Sequence, residues 1–209
     1  MTNSNHSVDF FDRQFQRQAA AGELALNPFE EAALPHLRGR VLDFGCGMGN
    51  LAVAAARRGC SVVALDASGT AISHLQQRAN LEALAIEAVQ ADLRAYPLAG
   101  DFDAVVSIGL LMFFDCPTAF RALANLQACV REGGVAVINI LVEGTTYMDM
   151  FDSGSYCLFP RSALEQSFAG WDILQSGLRD FPVADHKVKS FATLIARRPH
   201  EPRVAAGTS

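Results

Sequence analysis

The sequence predicts an α/β fold: a doubly wound, seven-stranded sheet, mostly parallel, closing on a C-terminal antiparallel hairpin. Three observations predict it. From residue 40 onward, short apolar runs alternate with helix-like stretches five times, the pattern of parallel strands joined by helices. The first alternation is interrupted by Gly45, Gly47 and Gly49, so strand, glycine turn and helix follow one another. The last two strand-like runs, Trp171–Phe181 and Lys189–Arg197, are separated only by residues 182–188. That connection is too short for a helical crossover, so the two must pair antiparallel.

Taken in order, residues 1–8 are polar and read as loose. From Asp9 to Ala21, the apolar positions Phe10, Phe11, Phe15 and Ala19 fit one face of a helix, which Gly22 ends. Asn27-Pro28 opens a second helix to about Leu37, with Glu30 and Glu31 at its positive end. These two helices (1–38) precede the sheet and read either as a lid over a pocket or as packing on a sheet edge. Arg40–Phe44 is the first strand and Leu51–Arg58 its helix. Ser61–Leu65 is the second strand, and Ser68 starts a helix with Ala71, Ile72, Leu75 and Ala79 on one face. Leu84–Val89 is the third strand and Asp101–Ser107 the fourth. The apolar run Ile108–Phe114 reads mainly as core, or as the floor of a site. Pro117 opens a helix through Val130, which Glu132-Gly133-Gly134 stops. Val135–Val142 is almost uninterruptedly apolar, as a central parallel strand buried on both faces should be. Residues 143–158 lack periodicity and read as a flap or a connection, Pro160–Phe168 as a short helix, and 199–209 as a disordered tail.

Function is written in the first thirty residues of this core. The glycines remove Cβ atoms and permit positive φ, so a ligand can lie against bare backbone. The helix that follows offers its N-terminal N–H groups. Asp66 ends the second strand, about 20 residues after the turn, where an acid can bind ribose hydroxyls. Together they specify a nucleoside pocket. Gly47-Met48-Gly49-Asn50-Leu51-Ala52 fits the dinucleotide pattern, whereas Asp43-x-Gly45-x-Gly47-x-Gly49 places an acid before three alternating glycines. A pyrophosphate would be repelled by that carboxylate, while a ligand with an ammonium and a sulfonium would be helped by it. Asp92, after the third strand, is placed for an adenine amino group, with Leu93 offering an N–H. Asp43, Asp66 and Asp92 each also read as turn or cap acids.

Composition narrows the classes. Among 209 residues half are hydrophobic, enough for one sizeable domain. A net charge of −5 argues against a nucleic-acid backbone binder. No apolar run reaches the ~18 residues of a membrane span, and the acids Asp9, Asp12, Glu23 and Glu30 argue against a signal peptide. The five cysteines (46, 60, 116, 129 and 157) form no C-x-x-C pair. Neither a disulfide framework nor a zinc site is expected, no metal is expected, and a reducing cytoplasm fits. A dehydrogenase needs a further substrate domain or a sixth parallel strand, for which the chain has no room.

Val41-Leu-Asp-Phe-Gly-Cys-Gly-Met-Gly49 resembles motif I of the class I S-adenosylmethionine (SAM) methyltransferases, with their Rossmann-like sheet. Leu110–Phe114, Leu123–Cys129, Gly133-Gly134, the stretch from Glu165 to Gly170-Trp171, and Phe191–Arg197 are similar, more narrowly, to the tellurite-resistance methyltransferase group. The resemblance implies a SAM-binding domain over 39–198. It implies that Gly45, Cys46, Gly47, Asp66, Ala67, Asp92, Leu93 and Ile108 contact the cofactor, with Asp43 supporting them. It implies methyl transfer to a small-molecule acceptor, such as tellurite, selenite, a thiol or another small metabolite, by a monomer or homodimer without nucleic acid or membrane. The group's N-terminal Tyr and Arg–Thr–His run has no equivalent in residues 10–17, and its bases before the last strand are replaced by Asp185-His186-Lys187-Val188-Lys189. Histidine is the side chain suited to proton transfer near neutral pH, so His186 is the candidate for a general base or an acceptor contact. Lys187, Lys189 and Arg179 are placed to attract an anionic acceptor. A nicotinamide oxidoreductase and a catalytically silent SAM-binding module are the competing readings.

Overall fold

The computed structural model describes residues 6–21, 25–151 and 154–200. Seven strands form one sheet: β1 (Arg40–Phe44), β2 (Ser61–Asp66), β3 (Ile86–Gln90), β4 (Phe102–Ile108), β5 (Val130–Leu141), β6 (Asp172–Pro182) and β7 (Val188–Arg197). Their order is β3-β2-β1-β4-β5-β7-β6. β1 to β5 are parallel, and β7 runs antiparallel to both β5 and β6. The strand order reverses between β1 and β4, and at such a switch point the connections diverge and leave a crevice at the strands' carboxyl ends.

Alternation fixes the faces. Leu42 and Phe44 of β1 enter one core layer with Leu65, Val105, Ile138 and Leu194. Val41 enters the opposite layer with Val62, Ala104, Val137 and Ile195. Period-2 alternation accounts for both, and a sheet apolar on both sides must be covered by helices on both sides. Those helices are α1 (His6–Ala21), α2 (Pro28–Ala33), α3 (Asn50–Arg57), α4 (Gly69–Leu81), α5 (Cys116–Ala128) and α6 (Ala163–Ser167). Asn27 caps α2 in a reciprocal box with Glu30, and Ser68 Oγ caps α4 by accepting from Ala71 N at 3.0 Å.

Several expectations are corrected. α1 begins at His6, and its expected stop at Gly22 lies outside the described residues, as do residues 1–5 and the tail from 201. α2 ends at Ala33, where Pro35 permits only a 3-10 turn, Leu34–His36. α5 ends at Ala128 rather than Val130. Val130 instead pairs with Phe102, and Arg131–Gly134 are taken into β5 through a register shift before Val135 pairs with Ala104. Gly133, at φ +70, accommodates that irregularity. Cys116 and Cys157 form a disulfide, contrary to the expectation of none. Their separation of 41 residues hid the pair, because only the fold of residues 143–159 back onto the start of α5 brings them together.

Candidate active site

The site grows out of the turn after β1. Gly45 N and Cys46 N both donate to Leu65 O, at 2.8 and 3.0 Å, which draws the turn against the end of β2. Gly47 sits at φ +50, where side chains are strained, and a Cβ there would approach Phe15 Cζ to 3.3 Å. Asp66 closes β2 and ties the two turns together. Its Oδ2 accepts from Gly47 N at 2.8 Å and its Oδ1 from Ser68 N at 2.9 Å. Burial nevertheless raises its pKa above the ordinary carboxylate value.

A cavity of about 920 Å³ opens at these strand ends. All nine residues expected at the cofactor line it: Asp43, Gly45, Cys46, Gly47, Asp66, Ala67, Asp92, Leu93 and Ile108. Asp43 is 5% exposed, and its Oδ2 has no hydrogen-bond partner. Burial first, then the charges of Glu30 and Asp66, push its pKa up to about 8. The Cys46 thiol is pushed up by burial and by Asp43 and Asp66, which makes it a poor nucleophile. Asp92 is engaged with its neighbour: its carboxylate accepts from Arg94 N, Nε and Nη2 at 3.1, 2.9 and 2.9 Å, and Arg94 holds its pKa below the usual range.

The N-terminal helices reach the same cavity. Phe11, Gln14, Phe15 and Gln18 of α1 line it, with Asn27 to Glu30 at the start of α2. Ser68 Oγ and Asp12 share a hydrogen bond that fastens α1 to the cap of α4. Burial raises the pKa of Glu30, whose Oε2 accepts from Asn27 N at 2.8 Å.

His186 is not brought to the cavity. It stands exposed in the turn between β6 and β7 at φ +57. Lys187 pairs with Asp149 at 3.0 Å, and Arg179 lies 5.3 Å from the Phe181 ring centroid. The basic side chain of this hairpin that does line the cavity is Lys189, two residues before Phe191 on the same strand face. Asn139 of β5 was missed. It is 1% exposed, Nδ2 donates to Thr193 Oγ1 at 2.8 Å, and Oδ1 has no partner. A lone amide inside the apolar run Val135–Leu141 was the available signal. Tyr147 and Met150 bring the unperiodic segment 143–158 into the wall, and Met112 and Phe113 bring the run after β4. Among the described residues no three His, Cys, Asp or Glu side chains group as a metal site, and no helix is long and apolar enough to cross a membrane.

Residues 41–134 match the family described as methyltransferase domain. The chain is 28% identical over 170 residues to Hemagglutinin 1 of Eikenella corrodens, covering 77% of this chain and 55% of that protein. It is 33% identical over 123 residues to the magnesium-protoporphyrin O-methyltransferase of Rhodobacter capsulatus, covering 59% of this chain and 53% of that one. With the probable SAM-dependent methyltransferase TehB of Haemophilus influenzae it shares 23% identity over 197 residues, 91% of this chain and 66% of that one. The crystal structure of TehB superposes with a TM-score of 0.73 at 20% identity, over 83% of this chain and 63% of that one. The chain thus spans about half the length of the first two relatives. In motif, in the family match over residues 41–134 and in sheet order, the chain is similar to the class I methyltransferases whose cofactor is S-adenosylmethionine, and it resembles the tellurite-resistance group among them.

Proposed function

We propose that this chain transfers a methyl group from SAM to a small-molecule acceptor. The observation that carries the reading is the Asp43 carboxylate, buried at the cavity wall beside the glycine turn with one oxygen unpartnered. A buried carboxylate stabilises a cation and repels a pyrophosphate. The residues fit the SAM family's cofactor. Gly45 to Gly47 offer a backbone that a side chain would block, Asp66 offers a carboxylate for ribose, and Ile108 and Leu93 offer apolar walls. When bound there, the cofactor supplies a methyl group on a sulfonium leaving group. What the chain contributes is alignment and dryness, and positioning of this kind is worth about 7–11 kcal/mol. Helices α1 and α2 are read as the cover: Phe11, Phe15 and Phe29 line the cavity, and Phe15 stands against Gly47 of the glycine turn.

A cytoplasmic setting, expected from the scattered cysteines, stands against the Cys116–Cys157 bridge, because such bonds are rare in that compartment. Alkylation of cysteines in cell extract without reductant tests it: modification of Cys116 marks a reducing compartment.

Calorimetric titration tests the pocket itself. SAM binds the wild-type chain and NADH does not. Gly47→Val, whose branched side chain enters the cradle, weakens SAM by more than about a hundredfold, or about 2.7 kcal/mol. Wild-type SAM affinity in that variant, or preferential binding of NADH, removes the assignment. Release of S-adenosylhomocysteine with any acceptor separates an enzyme from a silent binding module.

A further inference from the structure

The cavity is lined from β2 across to β7, and its two ends differ in charge. At about 920 Å³ it lies at the top of the ~300–1,000 Å³ range of pockets that enclose one drug-sized ligand. Along the rim the order is β2, β1, β4, β5, β7. β7 lies three strand spacings, roughly 14 Å, from β1, and Lys189 stands further along β7 than Ile195, the residue level with Asp43 through Val106 and Val137. The lining acids Glu30, Asp43, Asp66 and Asp92 come from α2, β1, β2 and the end of β3. Among the described residues none comes from β5, β7 or the segment between them. The β7 end instead carries Lys189.

That lysine has no counter-ion among the described residues, whereas its neighbour Lys187 is held by Asp149. Its Nζ lies 4.5 Å from the Tyr147 ring centroid, which offers only a cation–π contact. Burial alone holds its ammonium below the ordinary lysine value. Aromatic rings pack around this end of the cavity. Phe29 meets Phe191 at 5.1 Å between centroids, and Phe113 meets both Phe11 and Phe151 at 5.1 Å. Between the two ends stands Asn139, with its Oδ1 open to a donor. A compact inorganic oxyanion would satisfy the lysine and leave the rings facing water. An uncharged ring would do the reverse.

Resting on the methyltransferase reading, we propose that the β5–β7 end of the cavity is the acceptor site and takes a small aromatic acid: the ring lies among the aromatic side chains, the anionic group pairs with Lys189, and a ring hydroxyl or amine donates to Asn139. A tellurite- or selenite-sized acceptor is the less favoured fit.

The test loads the protein with S-adenosylhomocysteine, confirmed by calorimetry, and then titrates 4-hydroxybenzoate, its uncharged match 4-hydroxybenzyl alcohol, and selenite. The wild-type chain binds 4-hydroxybenzoate at least tenfold more tightly than either comparator. Lys189→Met weakens 4-hydroxybenzoate at least tenfold, leaves the alcohol within about twofold, and leaves S-adenosylhomocysteine affinity within about twofold. Lys189→Arg restores most of the loss. Equal binding of acid and alcohol, tighter binding of selenite, or no change in Lys189→Met overturns the proposal while leaving the methyltransferase reading intact. Failure of S-adenosylhomocysteine and SAM to bind at all overturns that reading, and the acceptor proposal with it.

Discussion

At the scale of a residue, Asp43 decides what the glycine turn is for. Its pKa of about 8 belongs to a carboxyl that burial has made costly to ionise and that Glu30 and Asp66 make costlier. A cation seated against it reverses that balance, so binding a sulfonium and an ammonium drives the proton off. SAM affinity therefore rises with pH between about 6 and 8, approaching tenfold per unit, and levels off above. Titration in buffers of different ionisation heat detects the released proton. Asp43→Asn binds SAM more weakly and loses the slope. A wild-type affinity flat from pH 6 to 9 contradicts the assignment. Lys189 is the opposite case, a cation at the far end of the same cavity with no carboxylate paired to it among the described residues.

At the scale of an element, the segment between β5 and α6 shows what pattern reading misses. Its described residues form no helix or strand, yet Tyr147 and Met150 line the cavity, Thr146 N donates to Val188 O at 2.9 Å, and Cys157 N donates to Met112 O at 2.9 Å. The Cys116–Cys157 bond pins its far end to the start of α5. Closing a loop of 41 residues is worth about 2–4 kcal/mol on the chain-entropy view. Reductant, or Cys116→Ser combined with Cys157→Ala, should lower Tm by on the order of 5–10 °C, at roughly 2–4 °C per kcal/mol for this size. An unchanged melt means the bond is not formed in solution. The strands and the terminal hairpin were legible because period-2 and continuous apolar runs survive in a single sequence, as Val135–Leu141 shows. The nine positions expected at the cofactor share one cavity because they sit within a few residues of strand ends. The α5 boundary was not, since Gly133-Gly134 looks like a helix stop and becomes a bulge only through Phe102 on another strand. His186 was chosen by chemistry alone, and the turn's geometry placed it in solvent. Asn139 and the disulfide depend on neighbours 54 and 41 residues away, and no local pattern records these.

At the scale of the whole molecule, the cavity is made at the expense of stability. The crevice gathers Glu30, Asp43 and Asp66 where burial raises all three pKa values. For a carboxyl whose folded pKa lies above its unfolded one, the folded state holds the proton longer. Stability is then greatest at low pH and is lost as pH rises toward the folded value. For Asp43 that window runs from its ordinary 3.8 to about 8. Within it the ligand-free protein should lose up to about 1.4 kcal/mol per pH unit from this one group. Other groups titrate as well, so the comparison is with Asp43→Asn, which cannot ionise. Urea unfolding at pH 5, 6.5 and 8 should show the wild-type chain losing stability relative to the variant at each step. SAM added at saturating concentration should restore most at pH 8, where the carboxylate it meets is already charged. Parallel curves for the two proteins would mean that Asp43 stays ionised throughout, with water or a side chain compensating it. The sheet core carries the cost because Leu42, Phe44 and Val41 anchor the same strand on both faces. The acid is thereby held in place while its own solvation argues against the fold.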